Sequence, residues 1–122
     1  MDRRALGRAG EDAVAAALAA RGHVILCRNV RTRYGEIDLV TADRGDLVFV
    51  EVKTRTGDGF GRPLEAIEPR KQRRLVRLAR AFMQERGVLD RGCRFDAAAV
   101  LMTREGRVLR VEIVPDAFDV PI

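Results

Sequence analysis

Hydrophobic residues recur with two different periods along the chain, and these periods predict a series of helices and strands. Helical spacing marks residues 3–21 and 69–86, and each run ends at a glycine, Gly22 or Gly87. Apolar runs rich in β-branched side chains predict strands at 24–30, 36–42, 47–53, 95–103 and 108–114. Because the second helix lies between strands, it can return the chain parallel to an earlier strand. The pattern predicts an α/β fold, with a mixed five-stranded sheet flanked by helices.

Glycine, proline and aspartate mark the connections between these elements. Asp43-Arg44-Gly45-Asp46 has the composition of a hairpin turn. Residues 54–68 contain three glycines and a proline, which indicates a loop with a short helical turn at 64–67. The tail from Pro115 is expected to be short and loosely held. A length of 122 residues suits a single domain that spans residues 1–122.

Charge changes this picture of an ordinary globular domain. The net charge of +5 and the sequence pI of about 10.2 predict a polyanionic partner, with nucleic acid favoured over a membrane surface. A basic balance that serves only solubility is the plain alternative. Of the 23 basic residues, only Lys53 and Lys71 are lysine. Positions that stay lysine in an arginine-rich chain suggest a need for a compact ammonium group.

The N-terminal residues and the hydropathy pattern bear on location. No apolar run approaches the ~20 residues of a membrane span. Met1 is followed by three charged residues, Asp2, Arg3 and Arg4, which lead into an alanine-rich stretch broken by further charges, and this is unlike a signal peptide. We therefore expect a cytoplasmic protein without a membrane partner.

The predicted hairpin places charged residues together. If its strands fold symmetrically about the turn, Asp38 faces Glu51 and Glu36 faces Lys53 on one side of the sheet. Directly opposed like charges destabilise a sheet, so a partly buried carboxylate pair needs a proton, a basic partner or a metal ion. Oxygen-rich sites suit Mg²⁺, Mn²⁺ or Ca²⁺. A surface salt bridge between Glu51 and Lys53 is the alternative, which the apolar flanking runs disfavour.

Several short motifs occur in a fixed order along the chain. They are Gly10-Glu11, Gly35-Glu36-Ile37-Asp38-Leu39, Phe49-Val50-Glu51-Val52-Lys53-Thr54-Arg55, Phe60-Gly61 and Arg94-Phe95-Asp96. This series resembles the YraN-type family of small predicted endonucleases within the PD-(D/E)xK nuclease superfamily, which is similar in turn to archaeal Holliday junction resolvases. The resemblance covers about residues 7 to 118.

The resemblance implies a restriction-endonuclease-like core that binds Mg²⁺ or Mn²⁺. Asp38 and Glu51 would be metal ligands, the Val52 carbonyl a third, and Glu11 a further carboxylate brought in by the first helix. Lys53 would hold or activate the attacking water and stabilise charge on the phosphate. Asp38, Glu51, Lys53 and Glu11 are therefore the predicted catalytic residues. An ammonium group can serve as a point donor beside a metal, which lowers the pKa of bound water.

Other charged residues carry two readings each. Glu36 is either a supporting neighbour of Lys53 or its ion-pair mate, and Asp96 is at least as well explained as a structural partner of an arginine. The second helix presents a basic stripe, which is either a solvated face or a phosphate-binding surface. Lys71 could also approach the metal site or a scissile phosphate. The predicted nucleic-acid-binding residues are Arg55, Arg70, Lys71, Arg74 and Arg77.

These observations lead to two main functional predictions. The first is a metal-dependent endonuclease that hydrolyses DNA phosphodiester bonds, with branched DNA among the candidate substrates. The alternative is a non-catalytic nucleic-acid-binding module or adaptor that retains the nuclease fold. A purely structural interaction protein is a third reading. Resolvase-like relatives suggest a homodimer, because two cuts need two sites. The pattern does not distinguish DNA from RNA, and DNA is favoured by the resemblance alone.

Overall fold

One helix packs on each face of a five-stranded sheet in the computed structural model, which describes residues 1–57 and 67–118. The elements are α1 (Arg3–Ala20), β1 (Val24–Thr32), β2 (Gly35–Asp43), β3 (Asp46–Thr56), α2 (Pro69–Glu85), β4 (Cys93–Met102) and β5 (Val108–Phe118). This confirms the predicted α/β architecture of a mixed five-stranded sheet flanked by helices. No helix within the described residues is long and apolar enough to cross a membrane.

The strands lie side by side in chain order, from β1 at one edge to β5 at the other. Neighbours are antiparallel except β3 and β4, which run parallel from Leu47↔Cys93 to Thr56↔Met102. The connection between parallel strands carries α2, so the predicted crossover helix is confirmed. This arrangement puts β3 at the centre of the sheet, where its residues Leu47–Val50 are buried.

The N-terminal ends of both helices follow from the local sequence. The side chain of Asp2 caps α1 by accepting a hydrogen bond from the Ala5 N–H at 2.8 Å. Pro69 stands at the start of α2, where its missing N–H costs nothing.

Gly10 allows α1 to approach β3 closely, because a Cβ there would overlap Thr54 Oγ1. That close approach brings the first turns of α1 over the middle of β3.

The core has one layer on each side of the sheet. On the α2 side Phe49 contacts Phe82 edge-on with ring centroids 5.7 Å apart, and stacks on Phe95 at 5.5 Å. On the α1 side aliphatic residues such as Leu18 and Val50 are fully buried. Both layers end near the middle of β3, which leaves the second half of that strand for polar residues.

The largest errors in the predicted boundaries lie at the ends of β5 and β3. The tail from Pro115 is not loosely held as far as Phe118, because β5 continues to that residue and its ring stacks on Phe95 at 4.7 Å. The third strand extends three residues beyond its predicted end at Lys53 to Thr56. Residues 58–66 and 119–122 lie outside the described part of the chain, and with them Phe60-Gly61 and most of the helical turn predicted at 64–67.

Candidate metal centre

The centre forms where β2 and β3 stop pairing. The predicted hairpin register is confirmed from Asp43↔Asp46 to Leu39↔Val50. In the described strands the pairing ends there, so the predicted pairs of Asp38 with Glu51 and Glu36 with Lys53 are wrong. The pairing therefore ends immediately before the position at which Asp38 would oppose Glu51.

A side chain replaces the backbone partner at this point. Asp38 Oδ2 accepts a hydrogen bond from the Val52 backbone N–H at 2.7 Å. Asn29, which lies between the β1 positions that pair with Ile37 and Leu39, adopts a positive φ of 51°. Asparagine tolerates this left-handed conformation better than most residues. The Asp38 carboxylate is thereby fixed in the opening between two strands, with its second oxygen available to another partner.

Burial and neighbouring acids make Asp38 an unusual carboxyl group. Its pKa is raised to about 6, first by burial, and then by the negative charges of Glu51, Glu11 and Glu36, against the opposing effect of the Val52 hydrogen bond. Burial also raises the pKa of Glu11, which a hydrogen bond from Asn29 counteracts. Carboxyl groups from α1, β2 and β3 therefore act electrostatically on one another, as a site that accepts a cation requires.

The acids are not yet arranged as a closed metal site. Across residues 1–57 and 67–118, no group of three or more His, Cys, Asp and Glu side chains is spaced to hold one metal ion. The set of Asp38, Glu51 and Glu11 implied by the resemblance is thus brought into one neighbourhood but not into one coordination shell. The Val52 backbone N–H is bound to Asp38, and the metal-binding role of the Val52 carbonyl stays a prediction.

A lysine forms an ion pair with one of the two main carboxylates of the candidate centre. Lys71 Nζ in α2 lies 2.7 Å from Glu51 Oε1, and the side chains of Lys71 and Glu51 are 31% and 18% exposed. The structure thus brings Lys71 to the candidate centre, where it compensates one of the charges that raise the pKa of Asp38. Lys53 lies two residues after Glu51 on β3 and is exposed to solvent. Glu36 is paired with Arg31, with Nε and Oε2 3.4 Å apart, which corrects the expected pairing with Lys53.

A groove lies on the α1 side of the sheet. It encloses about 380 Å³ and is lined by residues that include Arg3, Glu11, Val52 and Thr54. Glu11 and Val52 therefore border this groove, while Val52 also packs against the α1-side core.

The basic stripe predicted on the second helix forms an exposed surface in the structure. Arg70, Arg74 and Arg77 are exposed and spaced to share one side of α2. The Arg74 guanidinium reaches across to the hairpin between β1 and β2, since a Cβ at Gly35 would lie 3.5 Å from its Nε. Arg55 is half-buried near the end of β3. These residues surround the side of the sheet on which Lys71 meets Glu51.

Asp96 serves the fold at another place. It is 1% exposed, and its Oδ1 accepts hydrogen bonds from Arg94 Nε at 3.1 Å and from the Asp116 backbone N–H at 3.0 Å. Arg94 also donates to Asp43 at 3.1 Å, and these carboxylates raise the pKa of the Arg94 guanidinium. Of the two readings of Asp96, the structure supports the structural partner of an arginine.

The sequence interpretation missed Asn29. Its side chain bonds Glu11, and its backbone bends β1 beside Asp38. Asparagine adopts left-handed backbone angles more readily than most residues, so Asn29 in the middle of a predicted strand indicated a bulge. Its position did not indicate a contact with a helix. The ion pair between Lys71 and Glu51 joins residues from two elements, and only the scarcity of lysine pointed towards it.

Comparison with known proteins finds relatives that match nearly the whole length of this chain. The family model described as "Uncharacterised protein family UPF0102" matches residues 10–100. UPF0102 proteins of Moorella thermoacetica, Pelotomaculum thermopropionicum and Symbiobacterium thermophilum are 48%, 49% and 50% identical to this chain. These matches cover 97%, 95% and 94% of this chain and 98%, 97% and 97% of the respective relatives.

Among solved structures, that of Pyrococcus furiosus SfsA in complex with Ca²⁺ is similar to this chain. The TM-score is 0.43 and the sequence identity 19%, over 88% of this chain and 62% of that one.

Proposed function

This chain belongs to the UPF0102 family, and we propose that it is a metal-dependent endonuclease that hydrolyses phosphodiester bonds in DNA. This membership confirms the resemblance to the small YraN-type family, and the wider relation to PD-(D/E)xK nucleases and the activity are our proposal. One observation carries it: Asp38, held by the Val52 N–H, has a pKa of about 6 because it is buried among Glu51, Glu11 and Glu36. A carboxyl group so placed is stabilised by gaining either a proton or a cation.

The donor set fits a hard divalent cation. Asp38 and Glu51 offer carboxylate oxygens, Val52 a backbone carbonyl and Glu11 a further carboxylate from the groove, and Mg²⁺ or Mn²⁺ prefers such oxygen ligands. When bound, the metal would lower the pKa of a water molecule and neutralise charge on the phosphate. Incomplete protein ligation suits Mg²⁺, which usually keeps several waters.

The cationic residues divide into two roles in this proposal. Lys53, exposed two residues after Glu51, holds the attacking water or a phosphate oxygen. Lys71 balances the charge of Glu51, and it would be free to contact the phosphate if Glu51 held a cation instead. Arg70, Arg74 and Arg77 would contact the backbone of the nucleic acid, giving affinity that depends on salt and little on sequence.

A binding module without catalysis is the second candidate. The observation that favours it is the ion pair itself, because Lys71 already neutralises Glu51 and no trio of ligand side chains is assembled within the described residues. In that case the nucleic acid binds to the arginine stripe, and the acidic residues need no metal.

Cleavage of labelled substrates tests the two candidates. Single-stranded, duplex, flap and four-way-junction DNA, with an RNA duplex beside them, would be incubated with Mn²⁺ or Mg²⁺. The nuclease predicts metal-dependent cutting that Asp38→Asn and Lys53→Ala abolish and that Asp90→Asn, a matched change at an exposed aspartate, leaves intact. Salt-sensitive binding with no cutting in any lane would favour the binding module.

A further inference from the structure

β5 forms one edge of the sheet and presents apolar side chains to solvent. Along its outer side no described strand pairs with it. Val108, Leu109 and Val114 are 42%, 39% and 38% exposed, which is unusual for an edge strand that must avoid association. Val111 and Ile113 pack towards α1, so one face of the strand is already supported by the core.

The order of residues along β5 is self-complementary. If two copies pair antiparallel with Val111 opposite its own counterpart, Arg110 of each copy faces Glu112 of the other. The same register sets Leu109 against Ile113 and Val108 against Val114. Opposite charges directly across a strand pair stabilise a sheet, as do contacts between β-branched side chains.

The strand has the freedom to accept this register. Against β4, β5 is regular from Arg110 to Val114, and the pairing shifts by one residue at Leu109. The three central residues that carry the charge pairs therefore lie in regular strand. Within one chain Arg110 and Glu112 make only a long contact of 3.9 Å, and their side chains are 59% and 31% exposed. Each of these two side chains can therefore form a shorter ion pair with a second chain.

The other edge of the sheet also exposes apolar side chains, with Val24 60% and Leu26 47% exposed, but it does not share the charge order of β5. β1 contains Arg28 and Arg31 but no acidic residue, so two copies of β1 have no opposite charges to pair. Its pairing with β2 is irregular between Ile25 and Cys27, and Asn29 adopts a left-handed φ of 51°. Irregular, charged edges resist strand addition. The two edges thus differ in the way expected if one is protected and the other is used.

We infer that β5 is the interface of a homodimer, in which two sheets join edge to edge through Arg110, Val111 and Glu112. The partner is a second copy of this chain, because the charge order of β5 complements itself. This inference goes beyond the proposed function and is independent of it.

This strand pairing fixes the orientation of the two subunits relative to each other. Directly opposed residues in an antiparallel pair project to the same face, so both α2 helices lie on one side of a ten-stranded sheet. Five strand spacings separate the two β3 strands, which corresponds to about 24 Å. If the proposed function holds, both candidate centres then approach one nucleic acid from the same side.

Charge reversal tests the register. Sedimentation velocity would measure association of the full chain over the micromolar range. Arg110→Glu places glutamates opposite each other, and Glu112→Arg places arginines opposite each other, so each variant should raise the dimer dissociation constant at least about tenfold. The two variants mixed restore opposite charges and should form a heterodimer. Arg31→Glu on β1 makes the same charge change and should dimerise like the unmodified chain.

Two outcomes would overturn the inference. One is an unmodified chain that stays monomeric throughout that range. The other is a dimer that withstands both reversals, since its interface would then lie elsewhere. Circular dichroism melts would establish that the variants fold, and heterodimer formation on mixing excludes misfolding as the cause of dissociation. Each readout concerns association alone, so an inactive protein that dimerises through β5 would refute the nuclease and leave the interface standing.

Discussion

Lys71 Nζ stands 2.7 Å from Glu51 Oε1, so an α2 side chain neutralises a carboxylate of the central strand β3. The pair connects the crossover helix to the place where β2 and β3 separate. Asp38, on the neighbouring strand, keeps a raised pKa, because burial and the charges of Glu51, Glu11 and Glu36 outweigh its hydrogen bond from the Val52 N–H, and within residues 1–57 and 67–118 no ion pair like that of Glu51 balances it. The site therefore has one carboxylate that is balanced and one that is not, and this asymmetry leads to several predictions.

Replacement of Lys71 by methionine should make the protein more responsive to divalent cations. Loss of the ammonium group leaves Glu51 unbalanced, so the free energy of unfolding without metal should fall by about 1 kcal/mol for a pair that is partly exposed. Mn²⁺ should then raise the melting temperature more than in the unmodified protein, because it no longer competes with Lys71. Thermal shift measurements check both effects. Lys71→Arg keeps the charge and is the matched control; an unaltered Mn²⁺ response in Lys71→Met would contradict the competition.

Stability should depend on pH through Asp38. Its folded pKa of about 6 exceeds the ordinary value of 3.8, so the folded state binds the proton more tightly than the unfolded chain. Asp38 then costs stability above about pH 6, and the cost is relieved as the pH falls towards 3.8. With a discount for its partial exposure, the cost is about 1–2 kcal/mol. The raised pKa of Glu11 acts in the same direction.

Asp38→Asn should remove this cost and keep an acceptor for the Val52 N–H. The variant should be more stable than the unmodified protein at neutral pH, and the difference should shrink on acidification through the same interval. Urea unfolding at a series of pH values measures it, with Asp90→Asn as the control. A stability difference between the two proteins that does not vary with pH would show that Asp38 titrates normally.

Two glycines in α1 should respond in opposite ways to the same substitution. Gly10→Ala forces a methyl group into Thr54 Oγ1, and overpacking of this kind costs about 1–3 kcal/mol. Gly7 has nothing within 4 Å of an added Cβ, so Gly7→Ala should stabilise the helix by about 0.5–1 kcal/mol. Urea denaturation of both variants is the measurement. Equal effects would mean that α1 does not approach β3 as closely as described.

Asp96→Ala should damage the fold but not the metal response. The substitution leaves Arg94 and the Asp116 N–H without the buried oxygen that they share, at a cost of about 2–4 kcal/mol. Asp96→Asn retains an acceptor and should cost less. Denaturation gives the stability, and thermal shift with Mn²⁺ gives the response. A folded Asp96→Ala protein that has lost its Mn²⁺ response would assign Asp96 to the metal centre instead.

Periodicity explains why the fold and part of the site were predictable. Alternation of apolar residues in β2 and β3 determines which side chains face the core, and the turn at Asp43–Asp46 then sets the register up to Leu39 and Val50. An ideal hairpin extended by the same rule predicts Asp38 against Glu51. The rule does not allow for a side chain that accepts a hydrogen bond from the Val52 N–H, and so it fails at Asp38 and Glu51.

Contacts between distant elements were beyond this kind of reasoning. The pairing of Lys71 with Glu51 depends on where α2 crosses the sheet, which no local pattern specifies. Phe118 shows the same limit at the C-terminus. One aromatic residue in a short tail has no period, although its ring stacks on Phe95 and extends β5.

The parallel pairing of β3 with β4 has a consequence for the order of folding. Leu39 and Val50 pair at a separation of 11 residues (50 − 39), whereas Leu47 and Cys93 pair at 46 (93 − 47). Because closing the longer loop costs more entropy, we expect the β2–β3 hairpin to form before the crossover docks. Asp38 and Glu51 would then meet in an intermediate structure that still lacks Lys71. Protonation should favour that encounter, so stopped-flow refolding should be faster at acidic than at neutral pH, and the advantage should vanish in Asp38→Asn.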